Sequence, residues 1–238
     1  MIDVHTHVIP FVDDGSTSME ASILLIKKAI DDGVTDLICT PHYRKNMFEP
    51  KKLDIITNFM KLKEHIKKEN LNINLYLGQE IKYDKNSKTR ILENELLTVN
   101  NLNYVLLEFS YDKDTDISEI TYEYSIKGLI PIIAHIERYS YIKNLEQVLE
   151  IKNSGALIQV NASAILGKHG MKIKKFVKKL IKNNLVDFVA SDIHENREYN
   201  LKEAYLYIEK KFGKIIADNI FNNNAIRLIE GNEQEIAS

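Results

Sequence analysis

Met1-Ile-Asp-Val-His-Thr-His7 opens the chain: a short apolar, β-branched run that ends in two histidines one residue apart. On an extended segment residues i and i+2 point to the same side, so His5 and His7 face one place. Short apolar runs at residues 2–4, 36–40, 74–77, 104–107, 130–134, 156–160 and 187–190 make seven expected strands. Most of them end next to a histidine or an acid: His42 after the second, Glu80 after the third, Glu108 after the fourth, His135 after the fifth, and Asp192 and His194 after the last. Segments of helical period lie between the runs. Met19, Ile23, Ile26 and Ile30 form one apolar stripe, with Thr17 and Glu20 read as a capping box and Gly33 as the stop. Residues 50–69, 117–127, 145–152 and 172–182 read as further helices, and two or three more follow Glu198, the last over 226–236. Strand–helix alternation predicts an α/β fold with a parallel sheet of βαβ units. Periodicity alone leaves a closed barrel and an open doubly wound sheet equally allowed.

Composition narrows the class. A chain of 238 residues, 44% hydrophobic and 28% charged, supports one substantial core, and 1–238 is expected to be a single domain. A net charge of −2 gives no reason to expect bulk nucleic-acid binding. The single cysteine, Cys39, cannot form an internal disulfide, which fits a reducing compartment. There is no apolar run near the ~20 residues of a membrane span and no leader-like start, so a cytoplasmic location is expected.

The chemistry lies at the strand ends. In a parallel α/β fold the C-terminal ends of the strands open onto one face, where active sites are built. His5, His7, His42, His135 and His194 fall there with Glu80, Glu108 and Asp192. One such histidine is more often a structural hydrogen-bonder. Five at equivalent positions, alternating with carboxylates that would otherwise repel, point to bound divalent cations. The donors exceed what one tetrahedral ion takes, so two or three metals are expected. All-nitrogen-and-oxygen donors suit Mn, Fe, Zn or Mg. His65, among lysines, reads as a solvated helix face, and His169, in Gly167-Lys-His-Gly170, as a surface loop, with lining of the site entrance as the alternative. Cys39 reads as a small core residue. A cysteine phosphatase loop would need Cys, five residues, then Arg; after Cys39 that position is Lys45, with Arg44 one place early.

The ordered set His5-Thr-His7, Asp13-Asp-Gly15, Thr40-Pro-His42, Gln79-Glu80, Leu107-Glu-Phe109, Ala134-His-Ile-Glu-Arg138, Gln159-Val-Asn161 and Ala190-Ser-Asp-Ile-His194 resembles the polymerase-and-histidinol-phosphatase (PHP) superfamily. Within it the chain is similar to the manganese-dependent bacterial tyrosine phosphatases of capsule and exopolysaccharide regulation, from Met1 to about Gly231. The resemblance implies a distorted seven-stranded (β/α) TIM-like barrel with a trinuclear metal site at the strand C-termini. It implies His5, His7, Glu80 and Asp192 on a first ion, and Glu80, Glu108 and His135 on a second. His42 and His194 would hold a third, with Asp14 beside them; Asp13-Asp14-Gly15 is equally a good turn. Arg138, His194 and Glu108 carry the implied catalytic roles: Arg138 as a forked donor to phosphate, Glu108 through a metal, and His194 or a metal-bound water as proton source. The alternative for Arg138 is a salt bridge with Glu137 or a helix-start carboxylate. Arg44 is a second candidate donor, and Asp3 is equally a candidate support for His5 or a cap on a neighbouring loop. The implied partner is the phosphotyrosine-bearing tail of a membrane-associated bacterial tyrosine kinase.

Three other readings compete. A small-molecule phosphatase of the histidinol phosphate type would keep the same rim. A nucleic-acid phosphoesterase is mildly favoured by Lys172, Lys174, Lys175, Lys178, Lys179 and Lys182, but these spread around a helix rather than along one stripe. A non-enzymatic binding module fits least, because every candidate ligand is retained.

Overall fold

The computed structural model describes residues 1–230 and contains nine parallel strands. These are β1 (Ile2–Thr6), β2 (Asp36–Cys39), β3 (His42–Tyr43), β4 (Asn74–Leu77), β5 (Glu80–Lys82), β6 (Tyr104–Glu108), β7 (Ile130–Ile133), β8 (Leu157–Asn161) and β9 (Phe188–Ala190). Three form a sheet in the order β1-β2-β4, and six form a curved sheet in the order β3-β5-β6-β7-β8-β9. Two of the seven expected strands are each divided. Thr40-Pro41 separates β2 from β3, and Gly78-Gln79 separates β4 from β5. Pro41 has no N–H for the ladder and Gly78 no side chain to pack, so the strand pattern breaks at both, although the Gly78 N–H still bonds Cys39 O (2.8 Å) and the Glu80 N–H bonds Pro41 O (3.1 Å). Register resumes beyond them, with His42 opposite Glu80.

The strands carry apolar residues on both faces, as parallel strands covered on both sides must. In β6, Val105 and Leu107 join the large core under the helices. Tyr104 and Leu106 alternate into a second core with Ile2, Val4, Ile38, Ile132 and Phe188. Truncating a fully buried side chain such as Leu107 to alanine costs about 2–5 kcal/mol.

The helices are α1 (Met19–Asp31), α2 (Lys52–Lys68), α3 (Ser87–Leu92), α4 (Ile117–Ser125), α5 (Leu145–Asn153), α6 (Ala162–Leu166), α7 (Met171–Lys182), α8 (Leu201–Phe212), α9 (Lys214–Phe221) and α10 (Ile226–Glu230). The cap of α1 differs from expectation. Ser18, extended at φ −153°, accepts from the Ala21 N–H, while Thr17 donates instead to Glu195. Of the helix expected over 226–236, α10 is the described part; residues 231–236 lie outside the described residues. Backbone hydrogen bonds from His7 N to Ile193 O (3.1 Å) and from Asp192 N to His5 O (3.0 Å) tie the end of β1 to the segment after β9. This brings the first and last histidine motifs together.

Candidate metal centre

His5, His7, His42, His135, His194, Glu80, Glu108 and Asp192 are all buried, and they converge at the strand C-termini. Neighbouring side chains fix how each histidine presents itself. His7 Nδ1 lies 2.9 Å from Asp13 Oδ2, His5 Nδ1 3.2 Å from Gln159 Oε1, and His194 Nδ1 3.1 Å from the Asp192 carbonyl. Each acceptor places the proton on Nδ1 and turns a free Nε2 lone pair toward the interior, the form a metal requires.

The spacing of those free atoms fits an ion. Two donors ~2.1 Å from a shared ion at octahedral or tetrahedral angles stand ~3.0 to ~3.4 Å apart. His5 Nε2, His7 Nε2 and Glu80 Oε2 are separated by 3.0, 3.3 and 3.4 Å. Asp192 Oδ1 adds a fourth donor 3.5 Å from His7 Nε2 and 3.8 Å from His5 Nε2. Glu80 reaches further: its Oε2 is 2.6 Å from His42 Nδ1 and its Oε1 2.9 Å from His135 Nε2. The close approach of His42 to Glu80 lacks hydrogen-bond direction. His42 Nδ1, Glu80 Oε2 and His194 Nε2 are buried with no hydrogen-bond partner. His42 Nδ1 and Glu80 Oε2 face each other and His194 Nε2 faces Asp14, each lacking the hydrogen bond a buried polar atom takes, as it would beside a cation.

Asp13 and Asp14 divide their tasks. Asp13 accepts from His7 Nδ1, from the His42 N–H (2.7 Å) and from the Gly15 N–H (3.0 Å). Burial opposes its charge, yet the hydrogen bond and charge of His7 hold its pKa at about 2. Asp14 Oδ1 instead faces the cluster, 3.5 Å from His42 Nε2 and 3.7 Å from His194 Nε2. Glu108 reaches the cluster differently. Its oxygens take the Arg44 fork (3.0 and 3.2 Å), Lys82 (3.5 Å) and the Tyr111 hydroxyl (2.7 Å), and Oε1 stands 3.9 Å from His135 Nε2.

The field of the site favours cations. Burial works against the charge of Glu80 and Asp192, but the surrounding histidines hold both well below the usual carboxylate range. With no cation in place, Asp13 and Glu80 raise His7 to about 10 against the cost of burial, so Nε2 would hold a second proton that a bound cation would replace, while burial and His7 lower His194 to about 2. His135 and Asp192 sit in left-handed backbone (φ 32° and 51°), a conformation that costs a non-glycine residue about 1–2 kcal/mol and is retained at working sites.

The Arg138–Glu137 salt bridge, the alternative reading for this arginine, is absent among the described ion pairs, and Glu137 Oε1 takes the Asn161 N–H. Arg138 turns to Asp192 Oδ2 at 3.5 Å, where Arg197 also lies at 2.9 Å. The two arginines line a cavity of about 290 Å³ with Asn161, Ser163, Lys168 and His169. A larger groove of about 570 Å³ lies on α2 and β4, away from the cluster, whereas the smaller cavity adjoins it: Arg138, Arg197 and Asn161 of its lining all reach Asp192. Arg44 is spent on Glu108, and Asp3 braces Ser191 and Tyr199, with neither side chain of that pair on His5's ring. His65 bonds its own helix and Cys39 is fully buried.

Comparison with known proteins agrees with this geometry. The family profile described as capsular polysaccharide synthesis, CpsB/CapC, matches residues 1–230. CapC of Staphylococcus aureus is 38% identical over 211 residues, covering 86% of this chain and 82% of that protein. The tyrosine-protein phosphatase CpsB of Streptococcus agalactiae is 35% identical over 240 residues, 97% of this chain and 98% of its own. Among solved structures, one from a study of YwqE from Bacillus subtilis and CpsB from Streptococcus pneumoniae, described there as metal-dependent tyrosine phosphatases, superposes with a TM-score of 0.91 at 29% identity, over 98% of this chain and 95% of that one. With the profile spanning nearly the whole chain and relatives at this identity, the chain belongs to the CpsB/CapC family.

Proposed function

We propose that this chain is a metal-dependent protein-tyrosine phosphatase of capsular polysaccharide synthesis. It would hydrolyse phosphotyrosine on the tail of a membrane-associated bacterial tyrosine kinase. The carrying observation is the trio His5, His7 and Glu80, whose ligand atoms stand 3.0, 3.3 and 3.4 Å apart, with orphaned nitrogens of His42 and His194 beside it. Among the described residues no helix is long and apolar enough to cross a membrane, so the kinase would supply the membrane attachment, with this protein cytoplasmic.

Manganese is the proposed ion. His5, His7, Glu80 and Asp192 would hold one ion, Glu80, Glu108 and His135 a second, and His42, His194 and Asp14 a third. The nine strands fit seven staves of a distorted barrel if β2/β3 and β4/β5 each count as one and β1 meets the segment after β9, all within a single domain. Bound divalent ions would acidify water and neutralise phosphate charge. The protein's own groups do the rest. Arg138 and Arg197 offer forked donors to phosphate oxygens and to charge developing in the transition state. Asp13 and Gln159 keep His7 and His5 in the ligand tautomer. His194 has Nδ1 on a carbonyl and Nε2 toward Asp14, which supports a ligand role over a proton donor. A tyrosinate leaves with a pKa near 10, so departure needs little help from a protein acid.

The test is turnover of a phosphotyrosyl peptide by chelator-stripped protein, with and without Mn, beside histidinol phosphate and a 3′-phosphorylated oligonucleotide. Peptide turnover restored by Mn is expected. Turnover confined to either of the other substrates would overturn the assignment.

A further inference from the structure

Three residues beyond Glu108 the chain carries a half-buried tyrosine that the proposed chemistry leaves unused. The Tyr111 hydroxyl donates to Glu108 Oε1 at 2.7 Å. Its ring lies under Arg138, whose Cζ is 4.5 Å from the ring centroid, and Lys82 Nζ is 5.2 Å away. The ring meets His135 edge-on at 5.9 Å. It is backed by Tyr139 at 6.2 Å, which in turn stacks on Tyr141 at 5.8 Å. Tyr139 is itself pinned through its hydroxyl to the Ala134 carbonyl at 2.7 Å, and the Ser140 N–H bonds the Tyr111 carbonyl at 2.8 Å. The Tyr111 ring therefore sits on a fixed aromatic stack.

Arg138 needs such a support. Its hydrogen bond to protein is the 3.5 Å contact with Asp192, too long to fix a flexible side chain. A flat ring beneath a planar guanidinium restricts it to one plane through cation–π attraction and leaves its edge donors free for a ligand. We propose that Tyr111 is a positioning residue with two separable actions: its ring sets the plane of Arg138, and its hydroxyl sets the carboxylate of Glu108. A residue serving only to fill the core would need neither a charged acceptor for its hydroxyl nor a cation over its face. This inference rests on the reading above in one respect, that Arg138 grips phosphate.

The experiment uses the full chain and two readouts: the affinity of inorganic phosphate, as competitive inhibitor of peptide turnover and by calorimetry on the Mn-loaded protein, and Mn content at graded free Mn. Tyr111→Phe and Tyr111→Trp keep an aromatic face and lose the hydroxyl bond; Tyr111→Met loses both. Tyr111→Met should weaken phosphate about 2- to 30-fold, the range of a cation–π contact, while Phe and Trp hold it within about 2-fold. All three should need about 10-fold more Mn for half occupancy. Equal phosphate affinity in Met and Phe variants would overturn the role of the ring. Unchanged Mn occupancy in Tyr111→Phe would overturn the role of the hydroxyl. Arg138→Ala separates the two levels. If it leaves phosphate affinity unchanged, the phosphate-grip reading falls and the ring proposal with it. If it weakens phosphate and Tyr111→Met does not, the Tyr111 proposal alone is wrong.

Discussion

Asp13→Ala is the perturbation that best isolates how the metal ligands are held. The carboxylate makes three hydrogen bonds, its side chain is fully buried, and both its oxygens are taken by protein N–H groups. Removing it leaves the His42 amide without a partner, at a cost of about 1–3 kcal/mol to the metal-free protein. It also frees the His7 ring to take either tautomer. Loss of such an outer partner lowers metal affinity about 10- to 100-fold, or about 1.4–2.7 kcal/mol. Asp13→Asn should fall between. Its one oxygen can replace Oδ2 toward His7 and His42, but its NH₂ then meets the Gly15 N–H, donor against donor. The assay is Mn content and peptide turnover at graded free Mn, beside urea unfolding of the chelated protein. A midpoint for Mn within about 3-fold of the parent chain in Asp13→Ala would refute the claim that this carboxylate orients His7.

Three further outcomes are expected. A Cβ on Gly15 would stand 2.3 Å from both Cβ and O of His7, so Gly15→Ala must push the Asp13-Asp14 loop off β1, costing about 1–3 kcal/mol and weakening Mn; unchanged unfolding and Mn binding would contradict that packing. Cys39 is fully buried, and burial pushes its thiol up, so a disulfide reagent at pH 8 should label it only after denaturant is added; labelling of the folded protein at the unfolded rate would count against the core placement. Burial and then the charges of Arg138 and Arg197 lower His169 from 6.5, so its NMR titration midpoint in chelated protein should lie below 6.5 and rise in Arg197→Ala. A midpoint at or above 6.5, or one unmoved in Arg197→Ala, would contradict this account of the His169 surroundings.

Much of the site was legible because it sits at strand ends. A histidine or acid just beyond an apolar run is placed by topology, so His5, His7, His42, Glu80, His135, Asp192 and His194 could be grouped before any geometry was known. What topology does not encode is which neighbour a side chain bonds. Asp13 and Asp14 are adjacent and chemically alike, and only the path of the turn sends one to His7 and the other to His42 and His194. Gln159 and Arg44 act across the sheet on His5 and Glu108, contacts between residues 154 and 64 positions apart. Arg197 follows His194 by three residues and could have been suspected from that spacing, as Arg138 was from His135. The divided strands follow from Pro41 and Gly78, both visible in the sequence. Their consequence, the ladder resuming so that His42 stands opposite Glu80, depends on pairing partners that periodicity does not reveal.

The central claim is that these ligands build a cluster hinged on Glu80 and not one isolated site. Metal analysis of Mn-saturated, gel-filtered protein tests it most directly, set beside the same measurement on Glu80→Ala. The account predicts about three ions per chain, as a multi-metal centre requires, with at least two lost together in Glu80→Ala while the fold survives. One ion per chain, or a Glu80→Ala protein that keeps its full complement, would contradict it.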